Sequence, residues 1–283
     1  MPPLTSTTTT DAVDLQIAGE LALGRFSSFP SSGGVDVFCS TRTGGVSPAP
    51  YASLNLGTHV GDDPGNVVEN RRRLLAAAGS SLDRSVWCRQ VHEATVTVVT
   101  SADAGRGARS DADGVDGTDA LVTDVPGLTL LAMVADCVPV VVADPVRGAV
   151  GVAHAGWRGT VAHVTRRTVE VMVGHLGCRP DDLVAAVGPS IGPEEYEVGP
   201  EVVAQADAAY PGIELIRPAA DPAKGFFDLW AANRADLLDA GVRPERIEVA
   251  ARSTISEPDL FFSARGAPDP TGRFALGATI LRR

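Results

Sequence analysis

Cys137 stands at the head of one apolar run, 138–143, and His154 at the tail of the next, 149–153, within residues 136–160, DCVPVVVADPVRGAVGVAHAGWRGT. Two short β-branched runs separated by DPVRG predict a strand pair with a turn between them. In such a hairpin the start of the first strand lies beside the end of the second, so the thiol and the imidazole should meet at one edge of a sheet. A Cys and a His brought together there are either two metal ligands or a thiol nucleophile and its base. His154 is followed by AGWRGT and then a helical pattern, which sets it on a loop at a helix N-terminus, a place suited to anions and polar chemistry.

Other candidates are weaker on their residues alone. Arg42 and the Gly44-Gly45 pair lie in the long loop STRTGGVSPAPYASLNLGTHVGDDPGN. A planar guanidinium and exposed backbone N–H groups suit phosphate, and a Gly turn beside a surface Arg is the equally simple alternative. Tyr51, Leu54, Asn55 and Leu56 in that loop argue that it is ordered. His92 falls in a break between two strand-like runs, where an isolated His is more often an ordinary polar residue than a ligand. The segment GPSIGPEEYEVG forces a loop at a strand end, the usual place of ligand contacts in α/β proteins.

The elements that must position these residues are read from periodicity. Residues 1–20, opening MPPLTSTTTTD, predict a mobile tail, and 21–283 a single domain. Strands are expected at 35–39, from 85 to the break at 92–93 and on to 100, at 120–122, 128–134, 183–187 and 247–251, and in a closing segment 273–281. Helices are expected at 67–78, capped by Asn66 and closed by Gly79, at 159–175 with His175 packing or on the surface, and at 227–240, ended by Gly241. Residues 101–118, rich in Asp, Gly and Arg, read as an exposed loop.

Totals narrow the function. Hydrophobic residues make up 44% of 283, enough for a sizeable core. A net charge of −11 argues against a nucleic-acid-binding face and for a small-molecule partner. No apolar run reaches the ~18 residues of a membrane span, and the N-terminal stretch lacks the pattern of a signal peptide, so a cytoplasmic protein without membrane contact is expected. Cys39, Cys88, Cys137 and Cys178 are widely spaced, which suits thiols or ligands rather than a disulfide framework.

TRTGGVSPAPYASLNLG, GDDPGNVVENR, RQVHEATV, ADCVPVVVADP, GVAHAGWRGT, VGPSIGPEEYEVG and FDLWAANRADLL occur in this order, closing with FFSARG and TGR. Together they resemble the YfiH-type family, formerly labelled polyphenol oxidase or laccase domain and now described as zinc-dependent purine nucleoside phosphorylase with adenosine deaminase activity. The resemblance runs from about Val35 to the C-terminus. It implies an α/β (α+β) fold of mixed β-sheets layered between helices, likened to that of a Cys/His deamidase toxin. It also implies a zinc ion held by the His of QVH, the Cys of ADC and the His of HAGWRG, here His92, Cys137 and His154. The family often has Cys before YEVG where this chain has Glu194-Glu195, and CT and SYRR where it has Ser253-Thr254 and Ser263-Ala264-Arg265-Gly266.

Three N/S ligands from distant loops suit a catalytic zinc with an open position, which activates water for attack at C6 of adenosine. Phosphorolysis asks instead for a phosphate aimed at C1′ and a donor to the departing purine. Arg42 and Arg158 are candidates to hold phosphate or substrate, and Asp136 or Asn55 to orient substrate. The implied substrates are adenosine, inosine, guanosine and methylthioadenosine. With five His and no His-x-His the chain lacks the ligands of a multicopper oxidase, although copper can occupy a Cys/His site. Two other readings compete. One is an amide hydrolase with Cys137 activated by His154, acting on cytoplasmic peptidoglycan precursors as members of the family have been linked to doing. The other is a non-catalytic zinc-binding module, for which His59 is the best remaining fourth ligand.

Overall fold

Val138–Asp144 and Ala149–Ala155 form the expected hairpin, antiparallel, with Val138 opposite Ala155 and Pro139 opposite His154. Every residue of both strands is buried, as their unbroken apolar runs require of strands covered on two faces. Side chains alternate between those faces. Val141, Ala143, Val150 and Val152 pack into one core, and Val138, Val140, Val142, Ala149 and Ala153 into another.

The computed structural model describes residues 14–18, 21–30, 34–267 and 270–281. Among them the hairpin is the centre of one six-stranded sheet, flanked by Val184–Val187 and Ile247–Val249 on one side and by Ala120–Thr123 and Val96–Val98 on the other. A second six-stranded sheet runs Asp14–Ala18, Leu21–Arg25, Val35–Ser40, Phe274–Ile280, Thr129–Val134, Ser85–Trp87. Both mix parallel with antiparallel pairs. The sheets share a core in which Val37, Leu130 and Leu276 meet Leu121, Val141 and Val152. Helices Val164–Leu176 and Leu229–Asp239 cover the hairpin sheet, and helix Pro64–Ala77 covers the second sheet through Leu74 and Leu75. The fold is therefore a single α+β domain of mixed sheets between helices, as the motifs imply. A small three-stranded sheet, Glu197–Val198, Gly225–Phe227 and Ile216–Pro218, stands beside it. No helix among the described residues is long and apolar enough to cross a membrane.

Several boundaries differ from the sequence reading. Within the expected tail, Asp14–Ala18 is an edge strand paired with Leu21–Arg25; residues 1–13 and 19–20 lie outside the described residues. The first helix starts at Pro64, and its cap is Asp63, whose Oδ1 accepts the N–H groups of Gly65 and Asn66 at 2.8 and 3.1 Å. Pro at the first helical position marks that start better than Asn66 does. The helix expected over 159–175 is two, Trp157–Val161 and Val164–Leu176. His163 breaks it at φ 60°, with Nδ1 2.8 Å from Asp236. Phe227 belongs to a strand, so the last helix starts at Leu229 behind its cap Asp228. Helix Pro200–Ala209 escaped notice because its run is Ala-rich and buries only Ala206.

Candidate functional site

Two crossings of the chain between the large sheets deliver two of the three donors. Ser85–Trp87 and Thr129–Val134 are parallel neighbours in one sheet, and from both the chain passes to the other sheet. His92 lies on the first crossing and Cys137 at the end of the second. Gln90 ties the crossings together, donating Nε2–H to the Met133 carbonyl at 2.8 Å and accepting the Met133 N–H at 2.9 Å. His154 shares the face of Val150 and Val152 at the end of its strand, so it points to the same edge. The donor atoms of His92, Cys137 and His154 all lie within 4.8 Å of one another. The two imidazoles stand edge to face with centroids 4.7 Å apart.

Asp119, fully buried, organises this group. Its Oδ1 lies 2.8 Å from His154 Nδ1, and its carbonyl accepts the His154 N–H at 2.7 Å. The carboxylate also accepts the backbone N–H groups of Val91, His92 and Glu93 at 3.3, 3.0 and 2.8 Å. These three bonds support a turn in which His92 takes φ 62°, a region that costs a non-glycine residue energy. Burial alone would raise the Asp119 carboxyl; bonds from His154 and the Glu93 and His92 N–H groups hold it below the usual range. An ionised Asp119 at Nδ1 leaves His154 Nε2 for the donor group.

The thiol and imidazole act on each other. Burial would push Cys137 up, but the His154 charge and hydrogen bonds from His154 and His92 outweigh it and bring the thiol down to about 6. Burial would lower His154, and the Cys137 thiolate and Asp119 raise it to about 9. The space behind the donors is shaped for them as well. A Cβ on Gly156 would stand 3.1 Å from both Cys137 Sγ and His92 Cδ2. A thiolate and two imidazoles on a prepared cradle can hold a metal ion. They open on a cleft of about 690 Å³ whose other walls include His59, Arg89, Asp111, Tyr196, Arg265 and Arg273.

A model of the family described as multi-copper polyphenol oxidoreductase laccase matches residues 36–281. The chain belongs to that family. Purine nucleoside phosphorylase YlmD of Geobacillus stearothermophilus is 42% identical over 248 residues, 86% of this chain and 89% of the relative. The crystal structure of YlmD from that organism matches with a TM-score of 0.90 at 39% identity, covering 96% of this chain and 100% of the other. The crystal structure of Bacillus licheniformis hypothetical protein YfiH gives 0.87 at 32%, covering 95% and 99%.

Among the described residues the donor group is too small for the several copper sites that the family's description names. Among the described residues His92, Cys137 and His154 are the one group of three metal-type donors within such reach. His59 lies on the cleft but outside that group, beside Asp111 at 3.3 Å.

The remaining sequence candidates divide. Asp136 lines the cleft at φ 87°. Its Oδ1 accepts the Thr254 hydroxyl and its Oδ2 the Arg265 N–H, both at 2.6 Å, and its carbonyl accepts the Ile191 N–H at 3.0 Å. It therefore fastens the late loops to the donor group. Arg158 is exposed over the Trp157 ring at 4.3 Å, and its charge reaches Tyr196 on the cleft. The structure does not bring Arg42 or Asn55 to the cleft. Arg42 donates to the carbonyls of Ala52 and Pro258 at 3.1 and 2.8 Å and lies 4.6 Å over the Phe262 ring, in a separate depression. Asn55 is fully buried, bonded to Gly57, Asp62 and the Arg273 N–H. The positions where the chain departs from family motifs sit together: Ser253 and Ser256 donate to the Glu195 carboxylate, and Ala264 and Arg265 line the cleft. Sequence reasoning missed Asp119. The only signal was an Asp at the head of a strand, and its meaning depends on that strand pairing beside His154.

Proposed function

We propose that this chain is a zinc-dependent purine nucleoside phosphorylase, converting adenosine, inosine, guanosine or methylthioadenosine and phosphate to free base and ribose-1-phosphate, and that it also deaminates adenosine. The observation that carries the reading is the His92–Cys137–His154 group at the wall of a nucleoside-sized cleft. The YlmD relative named for the phosphorylase activity supports it. Three protein donors suit a catalytic rather than a structural zinc. A zinc ion bound there supplies a Lewis acid and activates water at neutral pH, which the deamination requires. The protein's own part is to orient: Asp119 sets His154 and the His92 turn, and Asp136 holds the wall that carries Arg265. Cations on that wall complement phosphate and the charge that develops as the glycosidic bond breaks.

The test is chromatographic. Metal-analysed protein is incubated with adenosine, with and without phosphate, beside Cys137→Ala and His154→Ala. The expected result is adenine released only with phosphate and inosine formed without it, both lost in the variants. No product despite one bound zinc per chain would sink the reading for adenosine.

A second reading is favoured by one observation. Asp119, His154 and Cys137 stand in the order carboxylate, imidazole, lowered thiol, the arrangement of a cysteine amide hydrolase. A thiolate committed to zinc is a poor free nucleophile, so stoichiometric zinc with nucleoside turnover counts against it. Hydrolysis of muropeptide precursors by zinc-free protein would count for it.

A further inference from the structure

Phosphorolysis of a purine nucleoside needs a proton as well as a nucleophile. When the C1′–N9 bond breaks, its electron pair passes to the purine, and an unprotonated purine anion leaves poorly. Few groups on the cleft can supply that proton. His92, Cys137 and His154 are committed as donors, and the arginines keep their protons at any working pH. Cys88 and Tyr196 are both pushed up to about 12, chiefly by burial, and hold theirs too tightly. Burial works against the Asp111 charge, but the bond with His59 and the Arg71 charge help hold it down to about 2, so it has no proton to give. Both oxygens of Asp136 are already accepting. The titratable group that remains is His59.

His59 is also held as such a group should be. Its Nδ1 lies 3.3 Å from Asp111 Oδ2, and Asp111 Oδ1 lies 3.6 Å from Arg71 Nη2. Arg71 is a fixed anchor, fully buried, bonded to the carbonyls of Leu56, Gly107 and Ala108, and 4.2 Å over the Trp87 ring. The His59 side chain is 50% exposed, and no hydrogen bond engages its Nε2 among the described residues. An imidazole with one nitrogen against a carboxylate and the other open to a cleft is the arrangement of a general acid or base.

We propose that His59 is the general acid of the base-releasing step, protonating the departing purine at a ring nitrogen; this rests on the phosphorylase reading above. A phosphate oxygen bonds to C1′ as the C1′–N9 bond breaks, and the released pair is neutralised by the proton from Nε2. Hydrogen phosphate loses its own proton on becoming an ester, and that proton restores His59.

The test compares guanosine with 7-methylguanosine, whose cationic base leaves without a proton. Zinc-loaded wild type, His59→Gln and His59→Asn are assayed over a range of phosphate up to saturation, with zinc content measured in each. On guanosine kcat should fall about 100-fold in both variants. On 7-methylguanosine it should fall less than about threefold, with the phosphate KM within about twofold and zinc content unchanged, as expected for loss of acid catalysis alone. A solvent deuterium effect on base release from guanosine, present in wild type and abolished in both variants, gives the same answer without the methylated substrate. Equal losses on both nucleosides, a retained isotope effect, or a raised phosphate KM with kcat kept would overturn the role of His59 alone. Wild type that releases base from neither nucleoside would remove the phosphorylase reading and this inference with it.

Discussion

Asp119 and His154 are joined twice, carboxylate to Nδ1 at 2.8 Å and carbonyl to backbone N–H at 2.7 Å. The same carboxylate accepts three N–H groups from the turn that carries His92. One buried side chain thus orients two imidazoles of the His92–Cys137–His154 group from different parts of the chain, and it couples the cost of the left-handed His92 to the placement of His154.

Asp119→Asn keeps the shape but sets an NH₂ donor among groups that all donate. Zinc affinity, read by competition with a chromophoric chelator, is expected to fall about 10- to 100-fold. The metal-free protein should lose only about 1–3 kcal/mol of stability in urea, the cost of poorly paired buried N–H groups. Unchanged zinc affinity would show that the donors take their places without this carboxylate.

The metal-free thiol should titrate early. With Cys137 brought down to about 6, alkylation by iodoacetamide should rise with pH to a midpoint near 6 and then level off. In His154→Ala the midpoint should move up towards the ordinary thiol range, and zinc should protect the wild type far better than the variant, which lacks one of the three donors. Stability responds differently. The lowered thiol adds stability that is present above about 8.5 and lost as pH falls through about 6. The raised imidazole adds stability that is present below about 6.5 and lost as pH rises through about 9. From about 6.5 to 8.5 the two proton balances oppose each other, so this pair should leave the melting temperature of the metal-free protein nearly flat.

The part of the site legible in the sequence is the part written in local pattern. The 138–143 and 149–153 runs and the DPVRG turn specify a hairpin, and a hairpin brings Cys137 to His154 whatever surrounds it. His92 was recoverable only through family motifs, because its position depends on two parallel strands crossing between sheets. Arg42 and Asn55 looked functional for a sound reason, since polar residues in an ordered loop often bind ligands. Here they are used to hold that loop, Arg42 through two carbonyls and Asn55 through Gly57 and Asp62. Local pattern carries no sign of which partner a polar side chain will find. Asp119 and the His59–Asp111 contact are invisible for the same reason, since each joins residues at least 26 positions apart.

Asp136 should affect substrate more than metal. Its two carboxylate oxygens hold Thr254 and the Arg265 N–H, and Arg265 lies 5.2 Å over the Tyr196 ring on the cleft wall. Asp136→Ala releases both loops, so KM for the nucleoside should rise about tenfold, equivalent to ~1.4 kcal/mol of binding. Asp136→Asn, which keeps an acceptor, should show a smaller rise. Zinc content should stay at the wild-type value in both. A variant that loses zinc together with activity would place Asp136 with the metal donors instead.

Arg42→Ala separates a structural from a phosphate-binding role. The guanidinium lies outside the cleft, with two carbonyls and the Phe262 face as its partners. Removing it should therefore leave the phosphate KM within about twofold of wild type, since no binding contact is lost. It should cost about 1–3 kcal/mol of stability, from two hydrogen bonds to carbonyls and one cation–π contact. Urea unfolding beside initial-rate assays at varied phosphate reads both quantities on the same preparation. A several-fold rise in phosphate KM without loss of stability would return Arg42 to the substrate-binding role that its loop first indicated.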